Sequence, residues 1–200
     1  MIKHIIFDYD GVLVDSFNFH LTQYNQLLHL GLEAQELRDA HNGNFHDNES
    51  NKLGNIDINR YVDAVKENQE SLPLRPGVKE TLTELANTKQ LHLVTSGYER
   101  QILPNLANHG IDTFFTYLLF ADHGHHKHEK IQNILDAVAA TSDEAIFVTD
   151  TLGDIHEAKQ VPISTIALSC GFHPRETLLE GQPEFLLDSW KELAATLLAV

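Results

Sequence analysis

The sequence predicts an α/β protein with a Rossmann-like, doubly wound parallel sheet and a small helical cap inserted after the first strand. Short apolar runs alternate with segments of helical periodicity, which is typical of parallel strands joined by helices. The alternation stops between residues 15 and 73, where no strand pattern is found. We therefore assign residues 1–14 and 74–200 to the core domain and residues 15–73 to the cap.

The predicted strands are apolar along their whole length, without the polar alternation of a half-exposed sheet. Uninterrupted apolar runs of this length are typical of parallel strands that are covered on both faces. Five such runs are found, namely Ile2–Phe7, Leu91–Thr95, Tyr117–Phe120, Ala145–Thr149 and Ile163–Leu168.

Helical segments separate these strands, and Pro and Gly mark some of their ends. Pro76 is placed to occupy the first turn of a helix, and Gly110 is placed to end one. The cap is predicted to contain two amphipathic helices joined by the polar segment His41–Asn55. The predicted helices are Phe17–Leu30 and Asn59–Glu70 in the cap, and Gly77–Ala86, Glu99–Asn108, Lys130–Ala140, Ile155–Gln160 and Glu192–Val200 in the core.

Composition excludes several classes of partner. The net charge is −15, from 14 Lys+Arg against 29 Asp+Glu, so the chain lacks the basic face that nucleic acid or an anionic membrane requires. No apolar run approaches the roughly 20 residues of a membrane span. The single cysteine, Cys170, allows no disulfide within the chain. We expect a cytoplasmic protein, and a monomer.

Acidic and hydroxyl residues follow three of the predicted strands. Asp8 and Asp10 lie two residues apart, so their carboxylates face the same side after the first strand. Such a pair suits a nucleophile, a general acid and an Mg²⁺ site, although Asp10-Gly11 is also a common turn pair. Thr95-Ser96-Gly97 would hold a phosphate oxygen or cap a helix, and Asp150 and Asp154 would bind metal or cap a helix.

A lysine completes the pattern after the third predicted strand. Lys127 and Lys130 lie near a predicted helix start, and each alone would be an ordinary surface lysine. Acidic, hydroxyl, basic and acidic groups thus occur in sequence order near the carboxyl ends of strands, where ligands of open α/β sheets bind. Four independent coincidences would be needed to explain this order without a common site.

At these positions the chain resembles the haloacid dehalogenase superfamily, specifically its phosphatases with a helical cap of the phosphoglycolate phosphatase and β-phosphoglucomutase type. The matching segments are Phe7-Asp8-Tyr9-Asp10-Gly11-Val12-Leu13-Val14-Asp15-Ser16, Leu93-Val94-Thr95-Ser96-Gly97 and Phe147-Val148-Thr149-Asp150-Thr151 with Asp154. The resemblance implies an Mg²⁺-dependent phosphatase that acts on a small phosphorylated metabolite. It implies that Asp8 is the nucleophile that becomes phosphorylated and that Asp10 is the general acid and base.

The resemblance also implies roles for the remaining residues. Asp8, Asp10, Asp150 and Asp154 form the metal site. Thr95, Ser96, Gly97 and Lys127 bind the phosphate, and Thr95 and Lys127 are catalytic. Lys127 fits the spacing to Asp150 better than Lys130 does. His20 stands where phosphoglucomutase-like relatives also carry His, so it is a candidate substrate contact, with a histidine on a helix face that has no catalytic duty as the alternative. The chain departs from the family pattern at Thr149, where Gly is usual, at His128, where Pro often follows the lysine, and at Thr95-Ser96-Gly97, where many phosphoglycolate phosphatases carry Thr-Asn-Lys.

Two functional questions stay open at this level. A sugar phosphomutase would use the same Asp8 and Asp10 pair, and a receiver-like phospho-acceptor would combine similar residues but carry its aspartate after a middle strand. The histidine-rich segment His123–His128 is interpreted as a mobile polar loop, with zinc binding as the alternative.

Overall fold

The predicted strands form one parallel sheet with a sixth strand at its edge. The computed structural model describes residues 1–44 and 57–199. Strand order is β3-β2-β1-β4-β5-β6, and all neighbouring strands are parallel. The strands are β1 (His4–Phe7), β2 (Gln90–Val94), β3 (Phe115–Leu119), β4 (Ala145–Thr149), β5 (Ser164–Leu168) and β6 (Phe185–Leu187). The predicted doubly wound α/β class is confirmed.

Helices cover both faces of the sheet. The apolar side chains of α4, α5 and α9 pack on one face, and those of α6 and α7 pack on the other. The helices are α1 (Phe17–Leu28), α2 (Ala34–Asp39), α3 (Ile58–Glu70), α4 (Val78–Leu85), α5 (Glu99–His109), α6 (Lys127–Ala137), α7 (Leu152–Ala158), α8 (Arg175–Glu180) and α9 (Trp190–Ala199). Within the described residues, no helix has the length and apolar character needed to cross a membrane.

The sheet reverses its winding direction at β1. This strand pairs with β2 on one side and with β4 on the other, so the connections that follow β1 and β4 leave in opposite directions. In open α/β sheets the crevice at such a switch point is where ligands bind. Asp8 follows the last residue of β1 and therefore lies at this crevice.

Three short elements were missed from the sequence. β6 has three residues, and the helices α2 and α8 have six residues each. Fewer than two helical turns give no recognisable apolar period, and a half-exposed edge strand lacks the continuous apolar run of a central strand. These elements form because the sheet and the neighbouring helices are already in place to receive them.

Two predicted helix starts were late, and one predicted turn position was wrong. α6 begins at Lys127 and α7 begins at Leu152, in each case three residues before the predicted start. In α7 the hydroxyl of Thr151 accepts the N–H of Asp154 at 3.4 Å, which caps the earlier start. Pro76 lies just before the cap residue Gly77 and not in the first turn, whereas Gly110 ends α5 at φ 62°, as predicted.

The chain leaves and re-enters the core through two adjacent segments. Val14 forms an isolated antiparallel bridge with Leu74, and the N–H of Arg75 donates to the carbonyl of Leu13 at 2.8 Å. Between these segments, α1, α2 and α3 share a hydrophobic cluster that also contains Phe172 of the core. The division into core and cap at residues 14 and 74 stays a prediction, and most of the predicted His41–Asn55 linker lies outside the described residues.

A pair of histidines is buried in the middle of the sheet. His4 on β1 and His92 on β2 have their rings 5.5 Å apart and share a hydrogen bond of 3.3 Å. His92 stacks on Tyr117 as well, and its Nδ1 is buried without a hydrogen-bond partner. Burial, and then the neighbouring His4, lower the pKa of His92 to about 4. Burial also lowers the pKa of His4, against the charge of nearby Glu144.

These histidines predict a loss of stability in mild acid. Because the pKa of His92 is lower in the folded chain than in the unfolded one, its neutral form stabilises the fold above about pH 6.5, and this contribution is lost as pH falls towards 4. The free energy of unfolding should fall less between pH 7 and pH 5 in His92→Phe than in the parent protein, by on the order of 2 kcal/mol. Urea denaturation of both proteins at the two pH values measures this, and identical pH dependence would contradict it.

Candidate active site

The carboxyl ends of β1, β2 and β4 open into one cavity below the helices α1–α3. Parallel strands end at the same edge of the sheet, so residues that are far apart in sequence meet there. The cavity contains every site residue predicted from the sequence. It is lined by Asp8, Asp10, His20, Tyr24, Leu37, His41, Gly43, Tyr61, Val62, Thr95, Ser96, Gly97, Tyr98, Gln101, Lys127, Asp150, Thr151, Asp154, Glu157 and Phe172.

A buried ammonium group lies between two carboxylates at the floor of the cavity. Lys127 Nζ is 2.8 Å from Asp8 Oδ2 and 2.7 Å from Asp154 Oδ2, and all three side chains are buried. Burial lowers the pKa of Lys127, but Asp154 and Asp8 outweigh burial and hold that pKa above its ordinary value. Lys127 is therefore a permanently charged group, although it lies at a helix N-terminus where the helix dipole disfavours a cation.

Asp8 is held in one orientation with one oxygen towards the lysine. Its Oδ1 accepts the N–H of Tyr9 at 2.7 Å, and its own N–H donates to the carbonyl of Val148 on β4 at 2.9 Å. Burial raises the pKa of Asp8 well above its usual range, Lys127 opposes this, and Asp154 and Asp150 add to it. The site thus holds more negative than positive charge.

Asp150 presents a carboxylate oxygen with no partner in the described residues. Its Oδ2 accepts the N–H of Phe172 at 2.7 Å, whereas its Oδ1 is buried and makes no hydrogen bond. Burial raises the pKa of Asp150 to about 7, against the hydrogen bond from Phe172. A buried carboxylate oxygen without a partner in the described residues suits a hard divalent cation such as Mg²⁺, and Asp8 and Asp10 offer further carboxylate oxygens in the same cavity.

Two glycines allow the backbone to approach Asp150. A Cβ atom on Gly11 would lie 1.8 Å from Asp150 Oδ2, and one on Gly171 would lie 2.2 Å from the same atom. Gly11 also adopts φ +71°, a conformation that side chains other than Gly rarely adopt. The turn after β1 and the loop after β5 therefore close around this carboxylate from two sides.

Asp10 is held by a residue of the predicted cap. His20 Nε2 is 2.9 Å from Asp10 Oδ1, and His20 Nδ1 is 2.8 Å from the hydroxyl of Tyr61 on α3. Tyr61 stacks on Tyr24 with ring centroids 4.3 Å apart. Burial raises the pKa of Asp10, but His20 outweighs burial and holds that pKa below its usual value.

The hydroxyl-containing turn follows β2, the strand next to β1, and a second lysine supports it. Gly97 N–H donates to Thr95 Oγ1 at 3.1 Å, which fixes the turn Thr95-Ser96-Gly97 at the cavity wall. Lys130 is fully buried, and its Nζ donates to the carbonyl of Thr95 at 2.7 Å. Burial and the nearby Lys127 lower the pKa of Lys130 to about 8. Lys127, not Lys130, contacts the carboxylates of Asp8 and Asp154.

The sequence did not reveal several residues that complete the site. Thr149 Oγ1 donates to Asp154 Oδ2 at 2.5 Å, so the residue that replaces the usual glycine helps to position an acid. Tyr61 and Phe172 contact the site from α3 and from the loop after β5. The Gly171-Phe172 pair was noticed only for its likeness to relatives, and no pattern identified Tyr61 or the role of Thr149.

The histidine-rich segment is more ordered than the sequence suggested. His123 lies in a short 3₁₀ turn, His126 precedes α6, and His128 belongs to its first turn. The interpretation of His123–His128 as a polar loop is therefore wrong at Lys127 and His128, which are helical. His128 contacts Glu157, which contributes to the cavity wall.

The chain is similar to known proteins in sequence and in fold. The sequence model of the haloacid dehalogenase-like hydrolase family matches residues 5–168. Phosphoglycolate phosphatase of Pseudomonas syringae pv. syringae is 24% identical over 212 residues, which cover 96% of this chain and 78% of that enzyme. The crystal structure of a predicted phosphatase from Clostridium acetobutylicum superimposes with a TM-score of 0.85 at 19% identity, over 100% of both chains. CbbY from Rhodobacter sphaeroides, in complex with xylulose-(1,5)bisphosphate, has a TM-score of 0.77 at 19% identity over 96% of each chain.

The close approach of Gly11 to Asp150 predicts that a side chain at position 11 destabilises the fold by a steric clash. A control variant separates this clash from the cost of the backbone conformation. Gly11→Ala adds a methyl group against a buried carboxylate, whereas Gly31→Ala introduces Ala at a similar φ of +58°, where no atom of the described residues beyond Gly31 and its chain neighbours lies within 4 Å of the added carbon. We expect Gly31→Ala to lower the free energy of unfolding by about 1–2 kcal/mol and Gly11→Ala to lower it by at least about 1 kcal/mol more. Chemical denaturation measures both, and equal losses would show that Asp150 moves aside freely.

Proposed function

Because the chain belongs to the haloacid dehalogenase-like hydrolase family and is a phosphatase, we propose that it hydrolyses a small phosphomonoester through a phospho-aspartate on Asp8. The observation that carries this proposal is the buried contact of 2.8 Å between Asp8 Oδ2 and Lys127 Nζ at the switch point of the sheet. A fixed carboxylate beside a permanent cation suits attack on a group that brings its own negative charge.

The donor set supports Mg²⁺ as the cofactor. Asp8 and Asp150 offer carboxylate oxygens, Asp10 is available beside them, and Asp150 Oδ1 is a buried oxygen that lacks a partner. When bound, the cation would neutralise the carboxylates and polarise the phosphoryl group. Asp154 Oδ2 is already engaged by Lys127 and Thr149. Its predicted role as a ligand stays a prediction, while its contacts support a role in positioning Lys127.

Asp8 and Asp10 divide the chemistry between them. Asp8 attacks phosphorus, and the bond from phosphorus to the leaving oxygen breaks as the bond to Asp8 forms. Asp10, in its protonated form, gives a proton to the leaving oxygen, and the carboxylate that results later takes one from the water that hydrolyses the aspartyl phosphate. His20 bonds to Asp10 at 2.9 Å, so a cap residue orients the acid and links its position to α3 through Tyr61.

The phosphate oxygens are bound by groups that the fold fixes in advance. Lys127 supplies a charge, while the hydroxyl of Thr95 and the backbone N–H groups around Ser96 and Gly97 supply hydrogen bonds from the turn after β2. These groups stabilise the negative charge that spreads over the phosphoryl group during transfer, and they need no rearrangement to do so. This local arrangement attracts an anion despite the net charge of −15.

The cavity wall also bears on the leaving group. Among the described lining residues, Lys127 is the only lysine or arginine, and two carboxylates already contact it. The remainder of the wall towards α1 and α3 is aromatic or uncharged, with Tyr24, Tyr61 and Gln101 as hydrogen-bonding groups. We therefore propose a leaving group that is an uncharged alcohol, such as a sugar hydroxyl, in preference to one that carries a carboxylate.

Phosphate release from a panel of phosphomonoesters tests the proposal. With Mg²⁺ present we expect turnover of sugar phosphates above that of phosphoglycolate, and no turnover after chelation. Asp8→Asn removes the nucleophile at almost constant volume and should abolish release, whereas Asp136→Asn, an exposed control on α6, should leave it unchanged.

Each arm of this experiment contradicts a different part of the proposal. Phosphate release by folded Asp8→Asn would contradict the phospho-aspartate intermediate. Full activity in excess chelator would contradict the requirement for a cation. Preference for phosphoglycolate would overturn the assignment of the leaving group alone. Conversion of a sugar phosphate to its isomer without free phosphate would identify a phosphomutase in place of a phosphatase.

The two buried lysines predict different losses from one matched substitution. Lys127→Met removes the charge that meets the phosphoryl group and should reduce kcat by about 10²–10³-fold. Lys130→Met removes the bond to the Thr95 carbonyl and should lower the free energy of unfolding by about 1–3 kcal/mol, with a smaller effect on kcat. Kinetics and denaturation of both variants decide between them, and a larger loss of kcat in Lys130→Met would reverse the assignment.

A further inference from the structure

Three potential metal ligands meet beside the active site without belonging to its proposed chemistry. His126 precedes α6, His128 lies in the first turn of α6, and Glu157 projects from α7. One ligand atom from each of the three lies within 4.8 Å of the other two. The two imidazole rings have their centroids 5.3 Å apart, and His128 Nδ1 is 3.1 Å from Glu157 Oε2.

Neighbouring groups fix the carboxylate of this cluster. Glu157 is buried, its Oε2 accepts the N–H of His128 at 3.0 Å, and its Oε1 accepts the side-chain amide of Asn44 at 2.6 Å. The histidines are half-buried and retain access to solvent. The cluster therefore has one preset oxygen ligand and two nitrogen ligands that an ion reaches from outside.

The donor set differs from that of the catalytic cavity. The cavity offers carboxylate oxygens, which suit Mg²⁺, whereas two imidazole nitrogens and one carboxylate are characteristic of zinc. Tetrahedral zinc, with bonds of about 2.0–2.2 Å, holds its ligand atoms roughly 3.3 Å apart. The distance of 3.1 Å between His128 Nδ1 and Glu157 Oε2 is already close to this value. We propose that His126, His128 and Glu157 form a Zn²⁺ site, with water as the fourth ligand.

The position of the site connects it to the phosphate-binding lysine. Lys127 lies between the two histidines, and its Nζ contacts Asp154, which is one turn before Glu157 on α7. An ion held by His126, His128 and Glu157 thus joins the first turn of α6 to α7. It braces the two helix segments that carry the Lys127–Asp154 pair and leaves the reacting groups themselves untouched.

Zinc binding to metal-free protein tests this proposal without any substrate. Isothermal titration is performed in saturating Mg²⁺, which occupies the carboxylate cavity. We expect one Zn²⁺ per chain. The affinity should be at least about 10-fold weaker in His126→Ala and in His128→Ala, because loss of a group that only hydrogen-bonds a metal ligand already weakens binding by that factor. His125→Ala, an exposed neighbour in the same segment, is the matched control and should bind as the parent does. Equal affinity in all four proteins would overturn the site.

Co²⁺ in place of Zn²⁺ supplies a second measurement that does not depend on affinity alone. Nitrogen and oxygen ligands in a tetrahedral site give a visible absorption band, which should be absent in Glu157→Gln and His128→Ala and present in His125→Ala. Retention of the band in all three variants would refute the assignment. Neither measurement involves turnover, so failure of the phosphatase proposal would leave both results interpretable.

Discussion

The contact of Lys127 with Asp8 and Asp154 is the interaction on which the site depends. One ammonium group and two carboxylates are buried together, so each charge is tolerated only because the others are present. The contact joins the end of β1, the start of α6 and the first turn of α7, which are remote in sequence. Packing of the sheet brings these elements together, and the charges then determine how their side chains are oriented.

The surplus of negative charge is the second feature that organises the site. Lys127 offsets part of the charge of Asp8, Asp150 and Asp154, while burial, to which the charge of Asp154 adds, raises the pKa of both Asp8 and Asp150. The backbone turns at Gly11 and Gly171 approach Asp150 so closely that only glycine fits there. The site therefore carries negative charge that its own residues do not neutralise. A divalent cation that binds together with a phosphoryl group would neutralise it.

Contacts from the helical insertion show how the cap takes part in the site. His20 and Tyr61 belong to α1 and α3, and together they hold Asp10, while Arg38 on α2 donates to the carbonyl of Phe172 at 2.9 Å. His173 adds a second link, because its ring contacts the carbonyl of Arg38 and accepts the N–H of Leu152. Asp10 is thus held by helices of the predicted cap, which ties the orientation of its carboxylate to how those helices pack on the sheet.

The sequence by itself determined the sheet, five of its six strands and nine candidate site residues that all line the cavity, because continuous apolar runs and strand-end acids are local patterns. It did not reveal β6, α2 or α8, whose few residues carry no period. Only the tertiary structure decided that Thr149 supports Asp154, that Tyr61 holds His20, and that His126 and His128 meet Glu157. Those contacts join residues that are separated in the chain, and their geometry depends on how helices pack across the sheet.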